Sequence, residues 1–197
     1  FELGIGVGYR PQEFDGLGVD AKDRAGLTDE GLEIIRRLWQ GETVDFSGRH
    51  YQISGAALQP PVMQKPRPPL WVGGFAPVAA KRAARLGDGY IGTGDMVDQA
   101  RIFNEEWQRL GREGKGRLAG GHFWLIVSKN PDSTFNEVAP HVLYQIEMYN
   151  KWLGDAGQAL FPSIDSAADL RELGILLCTT PTEAVDIIGT YVEETGI

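Results

Sequence analysis

A repeated change of period constrains this chain most: short apolar runs of strand length alternate with stretches of helical period. PLWVGG is followed by a helical pattern that opens at Pro77, continues through VAAKRAARL and stops at Gly87. GYIGTG comes next, after a turn at Asp88 and Gly89. Residues 97–110 are again helical, and HFWLIV is a near-continuous apolar run of the kind buried on both faces. A strand that follows a helix in this way reaches a parallel neighbour by a crossover, so the expected class is α/β with a parallel sheet. FELGIGVGY at the start and ILLC near the end bring the core strands to five. A barrel of about 250 residues uses roughly 31 per βα unit, so 197 residues hold at most about six of eight units. A closed barrel would therefore be incomplete here, and the alternative is an open doubly wound sheet.

Between these elements the chain is less regular. In the first strand, period 2 places Leu3, Ile5, Val7 and Tyr9 on one face and Gly4, Gly6 and Gly8 on the other. A face of glycines either allows close packing or leaves room for a flat ligand. The run GIGVGY invites comparison with a dinucleotide fingerprint, but that motif needs a helix directly after the strand, and residues 10–27 intervene. RPQEFDGLGVDAKDRAG is polar, patternless and longer than an ordinary connection, which marks a functional loop. Thr28 is expected to cap the next helix, with Asp29 and Glu30 in its first turn and Leu32, Ile35, Leu38 and Trp39 as its apolar stripe up to Gly41. TVDF and HYQI flank Ser47, Gly48 and Arg49 as a hairpin whose glycine takes positive φ. QPPVMQKPRPPL holds five of the 11 prolines and reads as a stiff approach to the next strand, or as a polyproline ligand. A further helix covers 136–153 with Pro140 early or at a kink, and the stretch to Ala168 is loosely patterned. Thr180, Pro181 and Glu183 form a capping box that opens a last helix, ended by Gly196.

Several function classes fall away. A formal charge of -8 argues against nucleic acid and anionic lipid, and no apolar run approaches the roughly 20 residues of a membrane span. The single cysteine, Cys178, builds neither a disulfide nor a thiolate metal site, which suits a reducing cytoplasm. It reads as a small buried hydrophobe. His50, His122 and His141 lack metal-ligand spacing, so no metal is expected. Trp39, Trp107 and Trp152 lie at core spacing on helices. Glu13, Asp15, Asp20 and Asp23 in the long loop are either an acid/base set or solubilising charge. The pair Gly73 and Gly74 before Pro77 either brings backbone N–H groups to an anion at a helix N-terminus or makes an ordinary tight turn. Lys81, Arg82 and Arg85 lie one or more turns further on and are expected to face solvent.

The order GIGVGY, EF ahead of a glycine-rich loop, GLEIIRRLW, DFSGRHYQI, PPLWVGG, AAKRAARLGDGYIG and TPTEAVDII resembles the bacterial luciferase-like family of flavin-dependent monooxygenases and oxidoreductases. The likeness runs over nearly the whole chain. It implies a TIM (β/α)8 barrel that binds FMN or the deazaflavin coenzyme F-420 at the C-terminal ends of its strands. It also implies that residues 1–197 are the C-terminal part of one such domain, with three βα units before Phe1 and the last strand after Ile197. The flavin would carry the electron chemistry on a small organic substrate. A flavin reductase or other source of reduced cofactor would serve it, and the full-length protein would be a homo-oligomer. The cofactor would meet Gly6, Gly8, Tyr9, Gly73, Gly74, Phe75, Ala76 and Thr93, with Arg10 and Glu13 as substrate contacts and the catalytic residues unassigned. Family members often carry a phosphate-binding Ser after the glycine pair, where this chain has Phe75 and Ala76, so backbone donors from Gly74 to Val78 would compensate. Two other classes stay open: a non-catalytic flavin-binding relative, and a phosphate-binding barrel isomerase or aldolase.

Overall fold

A computed structural model describes residues 1–94, 96–155, 157 and 161–197. In chain order the first elements are β1 (Leu3–Ile5), α1 (Pro11–Gly16), a short 3-10 helix (Ala21–Asp23), α2 (Arg24–Trp39), β2 (Val44–Ser47) and β3 (Gln52–Ala56). Next come β4 (Leu70–Gly73), α3 (Pro77–Leu86), β5 (Gly89–Ile91), α4 (Val97–Arg109) and β6 (Arg117–Ala119). The last are β7 (Trp124–Val127), α5 (Pro131–Asp155), α6 (Ala167–Glu172), β8 (Leu176–Thr179) and α7 (Pro181–Thr195).

Parallel sheets carry the fold, and they do not close. β1, β4, β5 and β6 lie side by side in that order, and β7 pairs with β8 separately. Register places Ile5, Val72, Tyr90 and Leu118 on one face of the larger sheet and Gly4, Trp71, Gly89 and Arg117 on the other. The first face packs on helices. Ala79, Ala80, Ala83 and Ala84 of α3 are buried against Leu70, Val72 and Tyr90, and their small side chains let the helix sit close to the sheet. Phe103 and Trp107 of α4 complete this core. The second sheet rests on Phe135, Ala139, Val142 and Ile146 of α5 and Leu170 of α6. Only residues 120–123 join β6 to β7, without a helix. There a Cβ on Gly120 would stand 2.3 Å from the Gly92 carbonyl oxygen, so only glycine lets the chain pass.

Several expectations are corrected. The first strand ends at Ile5 and the third core strand at Ile91, because Gly8 and Gly94 take positive φ and turn the chain. The long loop contains α1 and a 3-10 helix, and α2 starts at Arg24, so Thr28 lies inside it and its hydroxyl donates to the Arg24 carbonyl. Gly48 does not have positive φ. Its lack of a side chain instead admits the Glu30 carboxylate, which accepts the N–H groups of Arg49, His50 and Tyr51. The HFWLIV strand spans Trp124–Val127 and is half-buried to exposed rather than buried on both faces. β6 and α6 went unread, and α5 starts at Pro131 instead of residue 136, with Pro140 inside it. Part of the loosely patterned stretch before Ala168 lies outside the described residues. α3 with its stop at Gly87, α4, and the Thr180 capping box of α7 stand as expected.

Candidate functional site

The C-terminal ends of β1 and β4 open into a cavity of ≈ 580 Å3. Gly6, Gly8, Tyr9, Gly73, Gly74, Phe75 and Ala76 all line it, although Tyr9 and Ala76 are separated in sequence by α1, the 3-10 helix, α2, the β2–β3 hairpin and β4. A Cβ on Gly6 would meet nothing within 4 Å, so this wall is bare because the sequence leaves it bare. Gly8 turns the chain with φ 76°, and Gly74, at φ 150°, has no room for a side chain against Ala79. The Tyr90 hydroxyl donates to the Gly74 carbonyl and pins the turn from the core side. Burial, then the nearby Tyr191, pushes the Tyr90 pKa up to about 12, so it stays a donor throughout the physiological range.

Ala76 is the N-cap of α3 and supplies no side-chain cap. The N–H groups of Phe75, Ala76 and Val78 have no hydrogen-bond acceptor among the described residues. They stand at the positive end of a ten-residue helix, where an anion is favoured. Two cations join them in the cavity wall: Arg24 at the start of α2, which no sequence motif singles out, and Arg82 of α3, which the sequence places in solvent. Arg82 is 6% exposed rather than solvated, because Asp29 accepts its Nε–H through Oδ1 while Oδ2 accepts from Arg85. Asp29 lies 53 residues away in sequence, so no local pattern announces this pairing. Val7, Val78, Ala79 and Leu153 supply apolar wall.

The other candidates are placed elsewhere. Thr93 is exposed and does not line the cavity. Arg10 and Glu13 pair with each other at 3.0 Å, and the Arg10 guanidinium lies 4.6 Å over the Trp152 ring. Tyr9 lies beside Tyr149, and burial followed by that neighbour raises its pKa. Asp20 accepts from the Lys22 N–H as the cap of the 3-10 helix, and Asp23 pairs with Arg49. His50 packs on Gly26, His122 lies against Tyr191, and His141 is exposed. Cys178 is half-buried and burial raises its pKa, which suits a packed thiol rather than a nucleophile. Among the described residues, no group of three His, Cys, Asp or Glu is placed to hold a metal, and no helix is long and apolar enough to cross a membrane.

Comparison with known proteins agrees with this architecture. The chain is similar in structure to the monooxygenase RslO1 from Streptomyces bottropensis, with a TM-score of 0.74 at 21% identity, over 99% of this chain and 58% of that one. It is similar to the oxygenating constituent of 3,6-diketocamphane monooxygenase from Pseudomonas putida, solved with FMN, with a TM-score of 0.70 at 18% identity, over 99% and 61%. It is also similar to the coenzyme F-420-dependent tetrahydromethanopterin reductase from Methanopyrus kandleri, with a TM-score of 0.59 at 16% identity, over 99% and 57%. These likenesses are of fold: a luciferase-like TIM barrel, present here as an open, partial one. The chain spans about six-tenths of the length of these relatives. The family model described as Luciferase-like monooxygenase matches residues 1–196, and the chain belongs to that family.

Proposed function

We propose that this chain forms the cofactor-binding end of a flavin- or deazaflavin-dependent oxidoreductase, a luciferase-like monooxygenase acting on a small organic substrate. The observation that carries the reading is the pairing, in one cavity, of a bare glycine wall with an anion-ready helix start. A flat ring system fits against Gly6, where no side chain stands within 4 Å, while Phe14 fills the space beside Gly8. A phosphate fits the free N–H groups of Phe75, Ala76 and Val78, with Arg24 and Arg82 supplying positive charge in place of a serine hydroxyl. FMN or coenzyme F-420 meets both requirements, and either supplies the electron-transfer chemistry that no side chain here provides. Tyr9 and Leu153 would orient the ring and exclude water. We place residues 1–197 as part of a single barrel whose remaining strands extend the sheet beyond β1, and we assign supply of reduced cofactor to a separate reductase.

The test is a titration of the intact protein with each cofactor, followed by flavin absorbance and turnover. Saturable binding with turnover supports the reading. Binding without turnover would make the protein a non-catalytic flavin carrier, and no flavin binding alongside sugar-phosphate binding would favour a barrel isomerase or aldolase.

A further inference from the structure

We propose that the cleft at the N-terminal ends of β4, β5 and β6, opposite the cofactor cavity, binds a small phosphate-bearing anion. The cleft measures ≈ 360 Å3, room for a phosphate with a compact organic part. Lys65, Arg67, Arg112, Lys115 and Arg117 line it, and Asp88 is the one acidic side chain among its lining residues. In a chain of net charge -8 this is a local reversal of sign.

Asp88 is already engaged on both oxygens. Its Oδ2 accepts from Arg67 Nη1 at 2.6 Å and from the Leu70 N–H at 2.8 Å, and its Oδ1 accepts from Arg67 Nη2 at 2.8 Å. Arg112 reaches Asp88 Oδ1 only at 4.0 Å. Its guanidinium lies 3.7 Å over the Trp107 ring, and Nη1 donates to the carbonyls of Ala84 and Gly87. Lys65, Lys115 and Arg117 are exposed, and among the described residues their side chains have no partner. Among the residues lining the cleft, the buried polar atom left unsatisfied is a donor, Nε1 of Trp107, a residue 7% exposed. What this region lacks is therefore an acceptor. Burial and the mutual repulsion of Arg36, Arg67 and Arg112 also lower the pKa of Arg36 and of Arg112, as expected where cations outnumber counter-charges. Donors on several sides of one cleft suit a tetrahedral dianion better than a single carboxylate.

The test titrates the intact protein with inorganic phosphate and with AMP by calorimetry at low salt. Lys65→Gln/Lys115→Gln removes two exposed cations and leaves the Arg67 and Asp88 pair intact. The expected result is saturable binding in the wild type, weakened about tenfold in the double variant, with flavin binding unchanged. AMP binding more tightly than phosphate would support a nucleotide as the occupant, and equal affinities would support the phosphate group alone. Absence of saturable binding of either probe, or equal affinity in the double variant, overturns the proposal. So does loss of phosphate binding in Ala76→Asp with none in the double variant, which would assign the anion to the cofactor cavity.

Discussion

The two ends of the same parallel sheet are built on opposite plans. At the C-terminal end, Gly6, Gly8, Gly73 and Gly74 remove side chains, and backbone N–H groups are left without acceptors. At the N-terminal end, Arg67, 7% exposed at its side chain, is locked bidentate to Asp88, and Asp88 also holds the start of β4 through Leu70. One end is kept open by what the sequence omits, and the other is tied by charge. Stability should therefore respond to substitution at the charged end and ligand affinity to substitution at the glycine end.

The largest expected effect breaks the charged end. Asp88→Asn leaves Arg67 and Arg112 uncompensated and should cost about 3 kcal/mol of unfolding free energy in urea. Burial alone would raise the Asp88 pKa, but hydrogen bonds from Arg67 and Leu70 and the charges of Arg67 and Arg112 outweigh it and hold it below its ordinary value. Its contribution is therefore complete above the ordinary carboxylate range near pH 4 and is lost as pH falls through the lower folded value. Stability of Asp88→Asn should fall less steeply with acid than that of wild type. An unchanged acid limb would show that Asp88 is not the clamp.

At the glycine end, Ala76→Asp should separate affinity from stability. The new carboxylate caps α3 and gains about 0.5–1 kcal/mol of stability, while it repels a phosphate and weakens cofactor binding at least about tenfold. Thr180→Ala removes a capping box that the structure shows complete, and should cost about 1 kcal/mol without changing cofactor affinity. The smallest effect concerns Arg24, a cation at the positive end of α2 that lines the cavity. Arg24→Gln should stabilise the fold by about 0.3 kcal/mol and weaken cofactor binding a few-fold. A loss of stability would show that Arg24 serves the fold instead.

The sequence made legible what is local. The capping box at Thr180, the stop at Gly87 and the strand-helix-strand order around PLWVGG follow from residues within a few positions of one another. β6 was missed because three residues, Arg117–Ala119, carry no period, and their strand character comes from pairing with β5. The site was half legible. The alternating glycines of the first strand announce the bare wall at Gly6, but the burial of Arg82 depends on Asp29 of another helix, and Arg24 enters the cavity only because α2 begins earlier than Thr28 suggests. Gly48 shows the same limit, since what it accommodates is a carboxylate 18 positions earlier in the chain.

The central claim is that the cavity between β1 and β4 holds a phosphate-bearing flavin. It is tested most directly by fluorescence titration of the intact protein with FMN and with coenzyme F-420, in wild type and Ala76→Asp. Saturable quenching of at least one cofactor by the wild type, lost or strongly weakened in a variant that melts at the same or a higher temperature, is the predicted result. Absence of saturable quenching with either cofactor, or equal affinity in Ala76→Asp, would contradict it.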